Sequence, residues 1–85
     1  MGPSEARFAL FVRLMWEMRA VPATTVMVFP HNAEPVLFVP CRAGHREPVL
    51  AVRRRGCWRL VWRGVELEAD RLELVARRIA TEAAA

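Results

Sequence analysis

Side chains that could ligate a metal or attack an electrophile are few in this 85-residue chain: His31, Cys41, His45 and Cys57. A structural zinc site asks for four such donors in closely spaced pairs, because tetrahedral coordination must be reached from a short stretch of backbone. The chain has neither C-x-x-C nor H-x-x-x-H. Cys41 and His45 lie four apart, but in a loop containing Gly44 rather than on a helix. This spacing leads us to expect no metal site and no cofactor. Cys57 is flanked by arginines, which favour a thiolate, yet no histidine is tied to it by the sequence. Asp70, the single aspartate, is placed to cap a helix. There is no glycine-rich phosphate loop. With no visible catalytic constellation, the expectation is that the chain is not an enzyme.

The other chemistry on offer is charge. All thirteen cations are arginine, against nine acids, for a net charge of +4. An arginine-only composition rich in Ala and Val is what GC-rich coding produces, and it accounts for the high isoelectric point. The distribution is nevertheless uneven. Residues 42–63 hold seven arginines and one glutamate, a local charge of +6, while the remainder is −2. Arg53, Arg54, Arg55, Arg59 and Arg63 in "AVRRRGCWRLVWRG" are therefore the candidate contacts to a phosphate backbone.

The elements that carry these residues follow from pattern. Residues 2–20 read as a helix, with Ser4 as N-cap and a wide apolar stripe over Phe8, Phe11, Val12, Met15 and Met18. Leu10, Leu14 and Trp16 widen it, and Pro22 closes the helix. Residues 23–29 and 35–40 read as strands apolar at every position, a pattern that calls for cover on both faces. Residues 41–47 form a polar loop. Residues 48–54 and 57–63 form a hairpin about Arg55-Gly56, which 65–69 can extend. The second helix runs from Asp70, with Glu73 completing an acidic capping box.

Hairpin geometry tests the phosphate reading. A two-residue loop at Arg55-Gly56 pairs Arg53 with Trp58, Ala51 with Leu60 and Val49 with Trp62. Trp58 and Trp62 then share one face, while Arg54, Arg59 and Arg63 lie on the other. A single-strand nucleic-acid platform needs rings and cations on the same surface, so the tryptophans are expected in the core. The predicted core is Phe11, Met15, Val28, Phe38, Leu60, Trp62, Leu72, Val75 and Ile79.

The segment "CWRLVWRGVELEADRLELVARRIA" resembles small uncharacterised actinobacterial proteins that close with a Trp-containing strand and an "AARRIA"-type helix. The resemblance rests on Trp58, Trp62, Gly64, Leu67, Ala69, Asp70, Ala76, Arg77, Arg78, Ile79 and Ala80. It implies a bacterial cytoplasmic source and no particular activity.

Together these observations predict a single domain over 1–85 of the α+β class. Its order is α-β-β-β-β-α: a four-stranded antiparallel meander packed with N- and C-terminal helices. Hydrophobic residues make up 54% of the chain, more than two short helices on one sheet can cover. The surplus predicts a non-catalytic regulatory or protein-interaction module. It would act as a homodimer or dock a protein partner, through the first helix (Phe8, Phe11, Leu14, Met15, Trp16, Met18) or an apolar sheet face. The alternative is a transcription-related nucleic-acid-binding accessory protein using Arg53, Arg54, Arg55, Arg59 and Arg63. No apolar run approaches the ~18 residues of a membrane helix and no secretory signal is visible, so a cytoplasmic location with reduced thiols, and no membrane partner, is expected.

Overall fold

In the computed structural model the described residues are 3–19, 26–28 and 34–85; for 3, 4 and 26–28 this covers the backbone alone. Helix α1 (Pro3–Glu17) is followed by strands β1 (Val26–Val28), β2 (Val36–Pro40), β3 (Arg46–Arg54), β4 (Cys57–Trp62) and β5 (Val65–Glu68), and then by helix α2 (Leu72–Ala84). The strands form one antiparallel sheet in the order β1-β2-β3-β4-β5. The expected α+β meander between two helices is present, and β5 is its fifth strand. No helix among the described residues is long and apolar enough to cross a membrane.

Short turns set the register. Arg55 (φ 53) and Gly56 (φ 79) both adopt the left-handed backbone that a type I′ turn requires, so β3 and β4 close tightly. Arg53 pairs with Trp58, Ala51 with Leu60 and Val49 with Trp62, the register read from the sequence. Arg63 (φ 51) and Gly64 (φ 77) make the turn into β5 in the same way.

Both helices lie on one face of the sheet. Leu10, Phe11, Leu14 and Met18 of the first helical segment join Leu37, Val39, Val49, Ala51, Leu60 and Trp62 of the sheet in one core. Leu72, Val75, Ala76, Ile79 and Ala83 complete it from α2. Arg7 strengthens the seam between α1 and the sheet. Its Nε donates to the Ala51 carbonyl at 3.0 Å, and its guanidinium lies 5.1 Å from the Trp58 ring centre.

Several expectations are corrected. The buried stripe of α1 is Leu10-Phe11-Leu14-Met18, which leaves Phe8, Val12 and Trp16 exposed on a line at i, i+4 and i+8. Helix α1 begins at Pro3, so Ser4 lies inside the helix rather than capping it; proline suits a first helical position because its missing N–H has no intrahelical partner there. Arg71, not Asp70, occupies the N-cap of α2, without a side-chain capping bond. Glu73 is drawn to Arg71 instead, Nε to Oε1 at 2.9 Å. Strand β2 is not covered on both faces: Leu37 and Val39 are buried, while Val36, Phe38 and Pro40 are only half-buried. Phe38 is thus outside the core, and Met15 lies at its edge. His31, Pro22 and most of the strand expected over 23–29 lie outside the described residues, as does the side chain of Val28.

Candidate functional site

Four surfaces bear on function. The first is the face of the sheet opposite the helices. Period two along the strands and the cross-strand pairs Phe38–Pro48, Leu50–Val61 and Val52–Arg59 put these residues on that face. Leu50 is 43% exposed, and Phe38, Val52 and Val61 are half-buried by their neighbours in the sheet. The rim of this apolar centre is mixed in sign. Arg54, opposite Cys57, makes an ion pair with Glu66, Nε to Oε1 at 3.3 Å. Arg59 stands across from Glu68. On β5 the two glutamates alternate along an edge strand, where charge discourages edge-to-edge pairing.

The second is the arginine-rich hairpin. The five arginines singled out by sequence do not act as one patch. Arg63 is held by Glu47, with Nη2 and Nε 2.6 and 3.0 Å from Oε2. Arg54 is paired with Glu66. Arg53 reaches over Trp58, 5.7 Å from the ring centre. Arg55 is exposed at the tip, and Arg59 is half-buried in the sheet. Trp62 is fully buried and Trp58 half-buried, both on the helix side. The expected separation of rings and cations holds for Arg54 and Arg59 but is corrected for Arg63: its left-handed turn conformation (φ 51) takes it out of the strand alternation, and its guanidinium lies 5.0 Å from the Trp62 ring centre.

The exposed line of α1 is the remaining apolar surface. Trp16 is 63% exposed, with the Arg19 guanidinium 4.0 Å from its ring centre. Phe11, Leu14 and Met18, expected as interface residues, are buried in the chain's own core and unavailable to a partner. Met15 is half-buried.

The fourth surface was not legible as a site. The β2–β3 connection, residues 41–45, closes as a three-residue loop, Arg42 to Gly44, inside the backbone hydrogen bond between Cys41 and His45. The Gly44 N–H donates to the Cys41 carbonyl at 3.0 Å, and the Cys41 N–H to the His45 carbonyl at 2.8 Å. Gly44 (φ 92) supplies the left-handed residue such a loop needs. Cys41 and His45 thus face each other across the hairpin end. Because Val39 pairs with Glu47, period two places Cys41, His45 and Glu47 on one face. The Cys41 thiol donates to Glu47 Oε2 at 3.1 Å, and His45 Nε2 is 3.4 Å from the same oxygen. Hydrogen bonds from Arg63, and then from Cys41, hold the Glu47 carboxyl down to about 2. Burial, and then the Glu47 hydrogen bond, push the Cys41 thiol up. The Arg63 guanidinium is itself raised, chiefly by bonding Glu47.

Chemically this cluster is no nucleophile–base pair. Glu47 is too weak a base to take a thiol proton, and burial favours the neutral sulfur. Comparisons with known protein families, with curated proteins and with solved structures find no match.

Proposed function

We propose that this chain is a non-catalytic interaction module that self-associates through the open face of its sheet. One observation carries the reading: both helices cover the same face, leaving Phe38, Leu50 and Val61 at the centre of the other. Apolar area removed from water contributes about 25 cal/mol per Å², and a contiguous apolar patch rimmed by polar groups marks a contact surface. A second copy is the occupant that fits. A two-fold contact sets a surface against itself, and a rim of one sign would repel its copy. Here the rim carries Arg54 and Arg59 beside Glu66 and Glu68, so each sign can meet the other. Two such sheets would pack face to face at about 10 Å.

The helix line is the weaker surface, because Arg19 already covers one side of the Trp16 ring. Nucleic-acid binding is disfavoured by the engagement of Arg54 and Arg63 with glutamates.

Light scattering on a sizing column, run on the wild type, Leu50→Glu and Trp16→Glu, tests the proposal. Dimer for wild type and Trp16→Glu, with monomer for a folded Leu50→Glu, is the expected result. A dimer lost only in Trp16→Glu would move the interface to α1. A monomeric wild type that binds a labelled duplex at physiological salt would replace this reading with the nucleic-acid one, since charge-only attraction falls by orders of magnitude over that range.

A further inference from the structure

We propose that Cys41, His45 and Glu47 form a binding site for one divalent cation of the zinc class, with a water molecule in the fourth position. The donor atoms of the three side chains all lie within 4.8 Å of one another. Zinc bonds of about 2.0–2.3 Å in tetrahedral geometry separate neighbouring donors by about 3.3–3.8 Å. The Cys41–Glu47 and His45–Glu47 separations of 3.1 and 3.4 Å are already near that range. The rest of the approach asks at most about 1.5 Å of side-chain movement between Cys41 and His45.

The backbone holds this set in place. The three-residue loop fixes Cys41 opposite His45, and the β2–β3 ladder fixes Glu47 two residues on. The Arg42 N–H donates to the Ala83 carbonyl at 2.9 Å, tying the loop to the last turn of α2. That helix end carries partial negative charge, which favours a cation nearby. Thiolate, imidazole and carboxylate together suit a borderline-soft ion. His45 is exposed and Glu47 half-buried, so an ion can enter from solvent.

Binding involves no redox change. The Cys41 S–H bond breaks, its proton leaves to solvent, and the sulfur lone pair forms the metal bond. His45 donates through Nε2, with its proton on Nδ1. Glu47, already ionised, donates an oxygen. Arg63 occupies Glu47 Oε2 from two nitrogens, so it competes with the ion for that oxygen and limits the affinity.

Cobalt titration of the reduced, metal-free full chain is the experiment, because a cobalt–thiolate bond gives a near-ultraviolet charge-transfer band. Zinc calorimetry gives stoichiometry. The wild type and Cys57→Ser are expected to show the band and one zinc per chain. Cys41→Ser is expected to lose the band, and His45→Gln to weaken zinc roughly tenfold or more, both keeping native circular dichroism. Arg63→Gln is expected to bind more tightly. No band in wild type, a band retained in Cys41→Ser, or zinc affinity indifferent to His45→Gln would overturn the site. None of these readouts depends on oligomeric state.

Discussion

Leu37 and Phe38 are consecutive in β2 and lie on opposite sides of the sheet: Leu37 is fully buried under the helices, and Phe38 is half-exposed on the face they leave open. One-residue alternation therefore separates a stability position from a recognition position. Leu37→Ala removes buried methyl groups and leaves a cavity, at a cost of about 2–5 kcal/mol. For a chain of this size the whole folding free energy is about 4–13 kcal/mol. Phe38→Thr is expected to cost the monomer about 1 kcal/mol or less, while weakening association. Urea unfolding at low protein concentration, run alongside light scattering, checks both.

The Arg55-Gly56 turn is strained at its first residue. A non-glycine side chain at φ 53 meets its own carbonyl, and asparagine tolerates that conformation better. Arg55→Asn is expected to stabilise the fold by about 1 kcal/mol, raising Tm by about 4–8 °C. A Cβ at Gly56 meets no neighbour within 4 Å, so Gly56→Ala isolates the backbone term at φ 79. It is expected to destabilise by about 1 kcal/mol. Thermal melts of the two variants decide the sign of each.

Glu82 links acid to stability. Its carboxylate accepts from Arg78 Nε at 2.9 Å and from the Trp62 indole N–H at 3.2 Å. The Arg78 bond chiefly, and then the Trp62 bond, hold this carboxyl below the ordinary value of about 4.5. The folded state therefore binds the proton less readily than the unfolded chain. The resulting stability is fully present above about pH 4.5 and is lost as pH falls through the folded value. Glu73, lowered chiefly by Arg71, acts with the same sign. Melts from neutral to acid pH should show Tm declining below about pH 4.5. Glu82→Gln should flatten that decline by lowering Tm at neutral pH, where the ionised carboxylate contributes, and change little at acid pH.

The β3–β4 register was legible because Gly56 permits one short turn, and one turn settles every pair behind it. The β2 pattern was not. A strand apolar at every position reads the same whether its second face is covered by a helix or left for another chain, so the pattern alone places Phe38 in the core. The stripe of α1 was rotated for a related reason: with eight large apolar residues between Phe8 and Met18, spacing alone does not choose which face packs. Asp70 carries a good capping side chain, but the tight exit from β5 sets the N-cap of α2 one residue later, at Arg71. Cys41 and His45 do not stand out in the sequence because a spacing of four aligns side chains on a helix, and these two lie in a loop. Across a three-residue hairpin loop the same spacing brings two residues face to face, and Glu47 joins them because β3 begins at Arg46 rather than at 48.

Sedimentation equilibrium of the wild-type chain, from low to high micromolar concentration, tests the open-face account most directly. We expect the mass to rise with concentration from 9.7 kDa towards twice that value, with Leu50→Glu remaining at the monomer mass throughout. A wild type that stays monomeric across the whole range, or a Leu50→Glu variant that dimerises as well as the wild type, would contradict it.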